Sequence, residues 1–187
     1  MVALRRLLLG FLLVVACLAA RPALADQTDP TLGGLFANLR AAKTPEAAQD
    51  TEAAIWSAWN QSHDPAVDRL MALGSAALQV ADYPAALAAF DRVVAVSLRF
   101  AEGWNKRATT LYLLGRYEDS ARDIDRVLAL EPRHFGALSG LSLCDIKLKR
   151  TQDALAALRR AQAIDPNMPN IDYNIHELTL QLERESI

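Results

Sequence analysis

Residues 67–100, 101–134 and 135–168 align without gaps as three consecutive segments of thirty-four residues. Leu70, Trp104 and Leu138 share the fourth column, and Gly74, Ala108 and Ser142 the eighth. Ala86, Ser120 and Ala154 share the twentieth; Phe90, Ile124 and Leu158 the twenty-fourth; Val93, Val127 and Ala161 the twenty-seventh. Tyr83 and Tyr117 share the seventeenth, where the third copy has Thr151, and Pro132 and Pro166 share the thirty-second, where the first has Leu98. A period of this length makes each copy one supersecondary unit that cannot bury its apolar face alone, so the copies must stack.

The columns specify what each unit is. Every copy reads as two helices of roughly fourteen residues, with a short turn near Asp82-Tyr83, Gly115-Arg116 and Lys149-Arg150. Small residues in the eighth and twentieth columns let two antiparallel backbones approach, and large residues in the fourth and twenty-fourth fill the space beside them. Gly115 supplies a permissive backbone at a helix end, and Pro132 and Pro166 stop the second helices. Composition agrees: 34 alanines and 30 leucines stand among 187 residues, against 16 glycines and prolines together. Such a chain is all-α, and β-sandwich or collagen-like folds are excluded.

The central copy carries Trp104, Gly115, Tyr117 and Pro132 in one register, and with these landmarks it resembles the tetratricopeptide repeat. The resemblance implies antiparallel helix pairs stacked as a short right-handed superhelix, an α-solenoid. The three units would occupy 64–168, as 67–100, 101–134 and 135–168. A capping helix within 169–187 repeats the first-helix pattern through Ile171, Ile175, Leu178 and Leu182. Residues 32–63 form a divergent N-terminal helix pair, Leu32 to Ala42 and Thr44 to Gln61, and 26–31 a loose tail. Thr44-Pro45-Glu46 and Asp64-Pro65 are strong helix starts, each with a capping side chain before a proline.

The first twenty-five residues read as an export signal. Met1 to Arg6 holds two arginines and no acid, and Leu7 to Ala20 is free of charge. Fourteen residues at about 1.5 Å each fall short of a hydrocarbon core of about 30 Å. Ala23-Leu24-Ala25 then offers a signal-peptidase site. Cleavage there leaves 162 residues with 17 basic and 22 acidic side chains, net −5, and one cysteine, Cys144. Val14-Val15-Ala16-Cys17 also resembles a lipobox, in which Cys17 is lipidated; the apolar Leu18, Ala19 and Ala20 that follow favour soluble, periplasmic export over that anchor. The mature protein meets a membrane only if Cys17 is lipidated.

Charge and motif content exclude most other classes. An acidic chain with 6 % aromatic residues does not suit nucleic-acid binding through a basic surface. His63, His134 and His176 are scattered, and His176-Glu177 lacks the second histidine of a zinc-protease helix. Gly33-Gly34 leads into no phosphate loop, and Cys144 sits in the tenth column as a structural thiol with no activating neighbour. The expectation is therefore no enzyme, no metal and no cofactor, but a protein-interaction scaffold or adaptor of the bacterial envelope. Its partner is a protein or peptide; a homodimer through the terminal helices is the alternative assembly.

In the family, the second, fifth, ninth, twelfth and thirteenth positions of the first helices face a concave groove that holds a partner peptide. The resemblance assigns Met71, Ser75 and Gln79 to that groove in the first copy and Asn105, Thr109 and Tyr112 in the second. Ser139, Leu143 and Lys147 follow in the third. The set lacks the lysines and asparagines of the family's carboxylate clamp, with Gly136 and Gly140 where basic residues would stand. The seventh column holds Leu73 and Leu141 but Arg107, and the eleventh holds Asp145 in the third copy. An arginine buried on a packing face is expected to pair with a carboxylate, Asp145 first; the alternative is an Arg107 that snorkels with its head in water. The alternating charges from Arg116 to Arg126 are expected to form a solvated convex face.

Overall fold

The computed structural model describes residues 29–185, and among them every regular element is helical. Leu32–Ala41 (α1) and Pro45–Asn60 (α2) form an N-terminal hairpin. Pro65–Gln79 (α3) and Tyr83–Val96 (α4) are the first repeat, Ala101–Leu113 (α5) and Tyr117–Leu130 (α6) the second. Phe135–Lys147 (α7) and Thr151–Ile164 (α8) are the third, and Ile171–Glu185 (α9) follows as a single helix. The expected cleavage site and Cys17 lie outside the described residues.

Local sequence explains the boundaries. Thr44 Oγ1 accepts from the Ala47 N–H at 3.2 Å and Asp64 from the Ala66 N–H at 2.7 Å, each one residue before a proline. The turns inside the three repeats share one geometry. Ala81, Gly115 and Lys149, all in the fifteenth column, have φ of +57°, +76° and +59°. The next residue reaches back five positions: Asp82 N to Ala77 O, Arg116 N to Leu111 O and Arg150 N to Asp145 O, at 2.8–2.9 Å. This is the left-handed helix end that glycine adopts freely, and only the central copy uses glycine for it.

Packing follows the stack. Phe90 and Val93 of α4 meet Val67 and Leu70 of α3, with Phe100 closing the first core. Gly74 is required there, because a Cβ on it would stand 2.6 Å from the Phe90 ring. The next core joins Ala108, Ile124, Val127 and Cys144. The last joins Leu138, Leu158 and Ala161 to Ile171 and Leu178 of α9, so α9 covers the third repeat as a cap.

The N-terminal hairpin does not add a layer before α3. It folds across the later repeats, and its own apolar residues, Leu32, Phe36, Leu39, Ile55 and Trp59, cluster with Phe135, Ile164 and Met168. The Asn167 side chain donates to the Ala42 carbonyl at 3.0 Å, tying the α8–α9 turn to the hairpin. Two tryptophans decide this placement. Trp59 stacks on His134 with ring centroids 4.0 Å apart, and Trp56 stands edge-on to Phe135 at 5.5 Å. One consequence shows on α3, where Leu73 is 60 % exposed while its column-mates Arg107 and Leu141 are half-buried.

Replacing Ala81 by glycine relieves a left-handed alanine on an exposed turn, and the expected gain is about 1 kcal/mol. Urea unfolding of Ala81→Gly should show a raised midpoint at unchanged slope, and a lowered midpoint would contradict the turn geometry.

Candidate functional site

The side chains that line the inner face come from the first helix of each pair. On α5, Asn105, Thr109 and Tyr112 stand on successive turns, and opposite them α7 offers Gly136, Gly140 and Leu143. Gly140 leaves the α7 backbone bare, while Gly136 one turn earlier makes room for Trp56, and a cleft of about 80 Å³ opens between the helices, floored by Ala108, Ser120 and Ile124. A second cleft of about 190 Å³ lies between α7 and α9. Ser139, Leu143 and Ile146 wall it on one side, Tyr173, Asn174 and Glu177 on the other, with Leu158 and Leu178 below. Leu143, 48 % exposed, is the ridge between the two.

The assigned groove positions therefore separate into three groups. Asn105, Thr109, Tyr112, Ser139 and Leu143 line the clefts. Lys147 is exposed one turn beyond Leu143. Met71 is packed into the first core with Leu70 and Phe90; Ser75 is half-buried and Gln79 exposed on α3, away from both clefts. Tyr173 and Glu177 had a usable signal. Counting the thirty-four-residue columns onward into α9 places them fifth and ninth, the same columns as Ser139 and Leu143.

One end of the inner face is already filled. Glu102, the second position of α5, is fully buried beside His134, with Nε2 and Oε2 3.2 Å apart. His134 Nδ1 accepts from the Ala137 N–H at 3.1 Å and so caps α7. An acceptor at Nδ1 places the proton on Nε2, which donates to Glu102. Burial opposes the Glu102 charge most strongly, yet His134, Lys106 and Asn105 together hold its carboxyl below the usual range. The Asn105 amide donates to Glu102 at 3.0 Å, and Lys106 Nζ lies 3.2 Å from its other oxygen. Trp56 covers the same end: a Cβ on Gly136 would meet its ring at 2.6 Å. Nothing in the local pattern of 32–63 signals this docking, since the residues that meet are about eighty apart in sequence.

The packing side corrects two expectations. Arg107 does pair with carboxylates, but not with Asp145. Its Nε and Nη2 donate to the two oxygens of Asp123, both at 2.6 Å, and Nη1 donates to Asp91 at 3.1 Å. The seventh column lies between the second helix of its own repeat and that of the preceding one, sixteen residues away in each direction, whereas Asp145 belongs to the following repeat. Asp145 instead lies 3.7 Å from Arg150, and burial, then Asp153, push its carboxyl up. Asp123 is thus withdrawn from the expected solvated face. Asp119 remains on it, bound by Arg116 and Arg122. The guanidinium of Arg107 also lies 4.7 Å from the Trp104 ring centre, and Trp104 Nε1 donates to the Leu98 carbonyl at 3.0 Å. Tyr117 leans on Tyr112, with centroids 5.3 Å apart. Cys144 is fully buried, its thiol pushed up by burial and donating to Ser120 at 3.2 Å.

These inner and packing columns carry a family signature. The family model described as tetratricopeptide repeat matches residues 71–123 and 105–169, together more than half of the chain. The chain belongs to the tetratricopeptide repeat family. A TPR repeat-containing protein of Rhizobium etli is 39 % identical over 111 residues, covering 59 % of this chain and 54 % of the relative. The chain thus spans about half the length of that curated relative. The TPR domain of Sgt2 from Aspergillus fumigatus has a TM-score of 0.62 at 18 % identity, over 66 % of this chain and 83 % of that one. The type III secretion chaperone SycD of Yersinia enterocolitica, solved in complex with a peptide of the translocator YopD, has a TM-score of 0.56 at 14 % identity. That match covers 65 % of this chain and 92 % of SycD. Among the described residues no helix is long and apolar enough to cross a membrane.

Where the hairpin meets α8, Asp165 is fully buried, and only one of its oxygens has a partner, the Asn167 N–H at 3.0 Å. Burial pushes this carboxyl up, against that hydrogen bond; Glu52 of α2 is also raised, by burial and then by the charge of Asp165. The folded state therefore holds the proton more tightly than the unfolded chain does. The resulting stability is full below the unfolded value of about 3.9 and is lost as pH rises through the folded value. Asp165→Asn keeps the acceptor and removes the titration. Relative to this variant, the wild-type melting temperature should fall as pH rises above about 4; a constant difference would contradict the assignment.

Proposed function

We propose that this protein is a non-enzymatic interaction scaffold whose inner face, formed by α5, α7 and α9, holds a segment of a partner protein. The observation that carries the reading is the pair of clefts meeting at Leu143, walled by apolar groups and by the neutral amides and hydroxyls of Asn105, Thr109, Tyr112 and Ser139. A preformed groove binds without the cost of ordering itself, and apolar pockets set among a few polar groups suit a peptide segment. The peptide held by SycD, a neighbour of the same fold, supports the reading. The groove has no lysine cluster for a terminal carboxylate, so an internal segment is the expected ligand.

Export to a bacterial envelope is part of the same proposal. It rests on Arg5 and Arg6, the uncharged Leu7 to Ala20 and the Ala23-Leu24-Ala25 site, all outside the described residues. A scaffold in that compartment needs no intramolecular disulfide, and the mature chain carries a single thiol.

Crosslinked capture from the native envelope tests the groove. Changing Asn105 and Tyr112 together to alanine should lower capture of the partner about tenfold, the loss expected from one or two central contacts. Undiminished capture would contradict the groove. Mass spectrometry of the same sample should find a chain starting at Asp26; a lipidated Cys17 at the terminus would put the protein on the membrane instead.

A further inference from the structure

We propose that the cleft between α7 and α9 is a receptor for a tyrosine side chain of the partner segment. The inference rests on the groove reading above and deepens it. Its first support is Ser142. This residue is 1 % exposed on the floor of the cleft, and its Oγ has no hydrogen-bond partner. The eighth column requires only a small side chain, and Gly74 and Ala108 fill it in the other repeats. A serine placed there without a partner has no packing reason, and a buried hydroxyl is unfavourable until something pairs with it.

Size and lining fix the rest of the ligand. A cavity of about 150 Å³ holds a benzene ring, and this cleft, at about 190 Å³, takes a ring with one further heavy atom. Leu143, Ile146, Leu158 and Leu178 supply apolar walls for the ring faces, and Tyr173, 64 % exposed, stands at the mouth. The rim favours a neutral ligand over an anionic one: it carries the acid Glu177, and no cation lines the cleft. A phenol matches these features, with its ring between the leucines and its hydroxyl at Ser142. The same rim repels an aspartate, a terminal carboxylate or a phosphorylated tyrosine.

Side-chain mimics test the pocket without the partner in hand. p-Cresol carries the tyrosine side chain and toluene that of phenylalanine; each is titrated into the isotopically labelled full chain and followed by NMR. p-Cresol should shift the methyl resonances of Leu143, Ile146 and Leu178 saturably, and bind about fivefold more tightly than toluene, the worth of one ordinary hydrogen bond. Ser142→Ala, which copies the second repeat, should bring that ratio to about one while leaving toluene unchanged. Leu143→Asp should weaken both, and p-tolyl phosphate should not bind. Equal affinity of p-cresol and toluene, no saturable shift, a preference that survives Ser142→Ala, or tight binding of p-tolyl phosphate would each overturn the proposal. None of these readings depends on the capture experiment. Loss of capture with no p-cresol preference therefore removes the tyrosine and keeps the groove, whereas undiminished capture with a clear preference does the reverse.

Discussion

No helix pair among the described residues covers its own apolar face, and that constraint generates the rest of the structure. α3 and α4 enclose Phe90, but Phe100, just beyond α4, is needed to close the core around it. α7 and α8 enclose Leu158, and α9 is needed to shield it. Burial of this kind is worth roughly 25 cal/mol per Å² of apolar surface, far more than the helix propensity of short segments supplies. The small eighth-column residues follow from the same demand, since backbones that must approach closely cannot carry large side chains there. Arg107 enters the stack with its charge paired, to Asp123 and Asp91.

The stack also needs ends, and the two ends are solved differently. α9 continues the first-helix pattern and lies where the next repeat would begin. The N-terminal hairpin bypasses the first repeat and closes over the later ones through Trp56, Trp59 and Phe36. Its docking buries the Glu102–His134 pair and fills one end of the inner face, leaving the clefts beside Leu143 as the open part. A device that completes the fold thereby also shapes the inner face.

How much of this was legible in sequence depended on the range of the interaction. Column spacing placed α3 to α9, because a repeat reports the same contacts three times over. The starts at Thr44 and Asp64 were readable because capping is local. The hairpin's destination was not: Phe36 and Trp59 announce only that they need an apolar neighbour, and Phe135 and Met168 are distant in the chain. Arg107 shows the intermediate case. A buried cation demands a carboxylate, yet Asp123, Asp91 and Asp145 are all within plausible reach, and only the helix geometry selects among them. On the inner face, Met71 shares a column with Asn105 and Ser139 but is buried, since column position fixes a direction and not the neighbours found there. Tyr173 and Glu177 were within reach of the column count, and the label of a cap hid them.

The most direct test of the folded-back hairpin is the nuclear Overhauser contact between the Trp59 indole and the His134 ring. Stacked rings 4.0 Å apart should give strong cross-peaks from the indole protons to His134, with further peaks to Phe135. Indole cross-peaks confined to α3 and α4, with none to His134, would show the hairpin stacked before the first repeat and contradict the account.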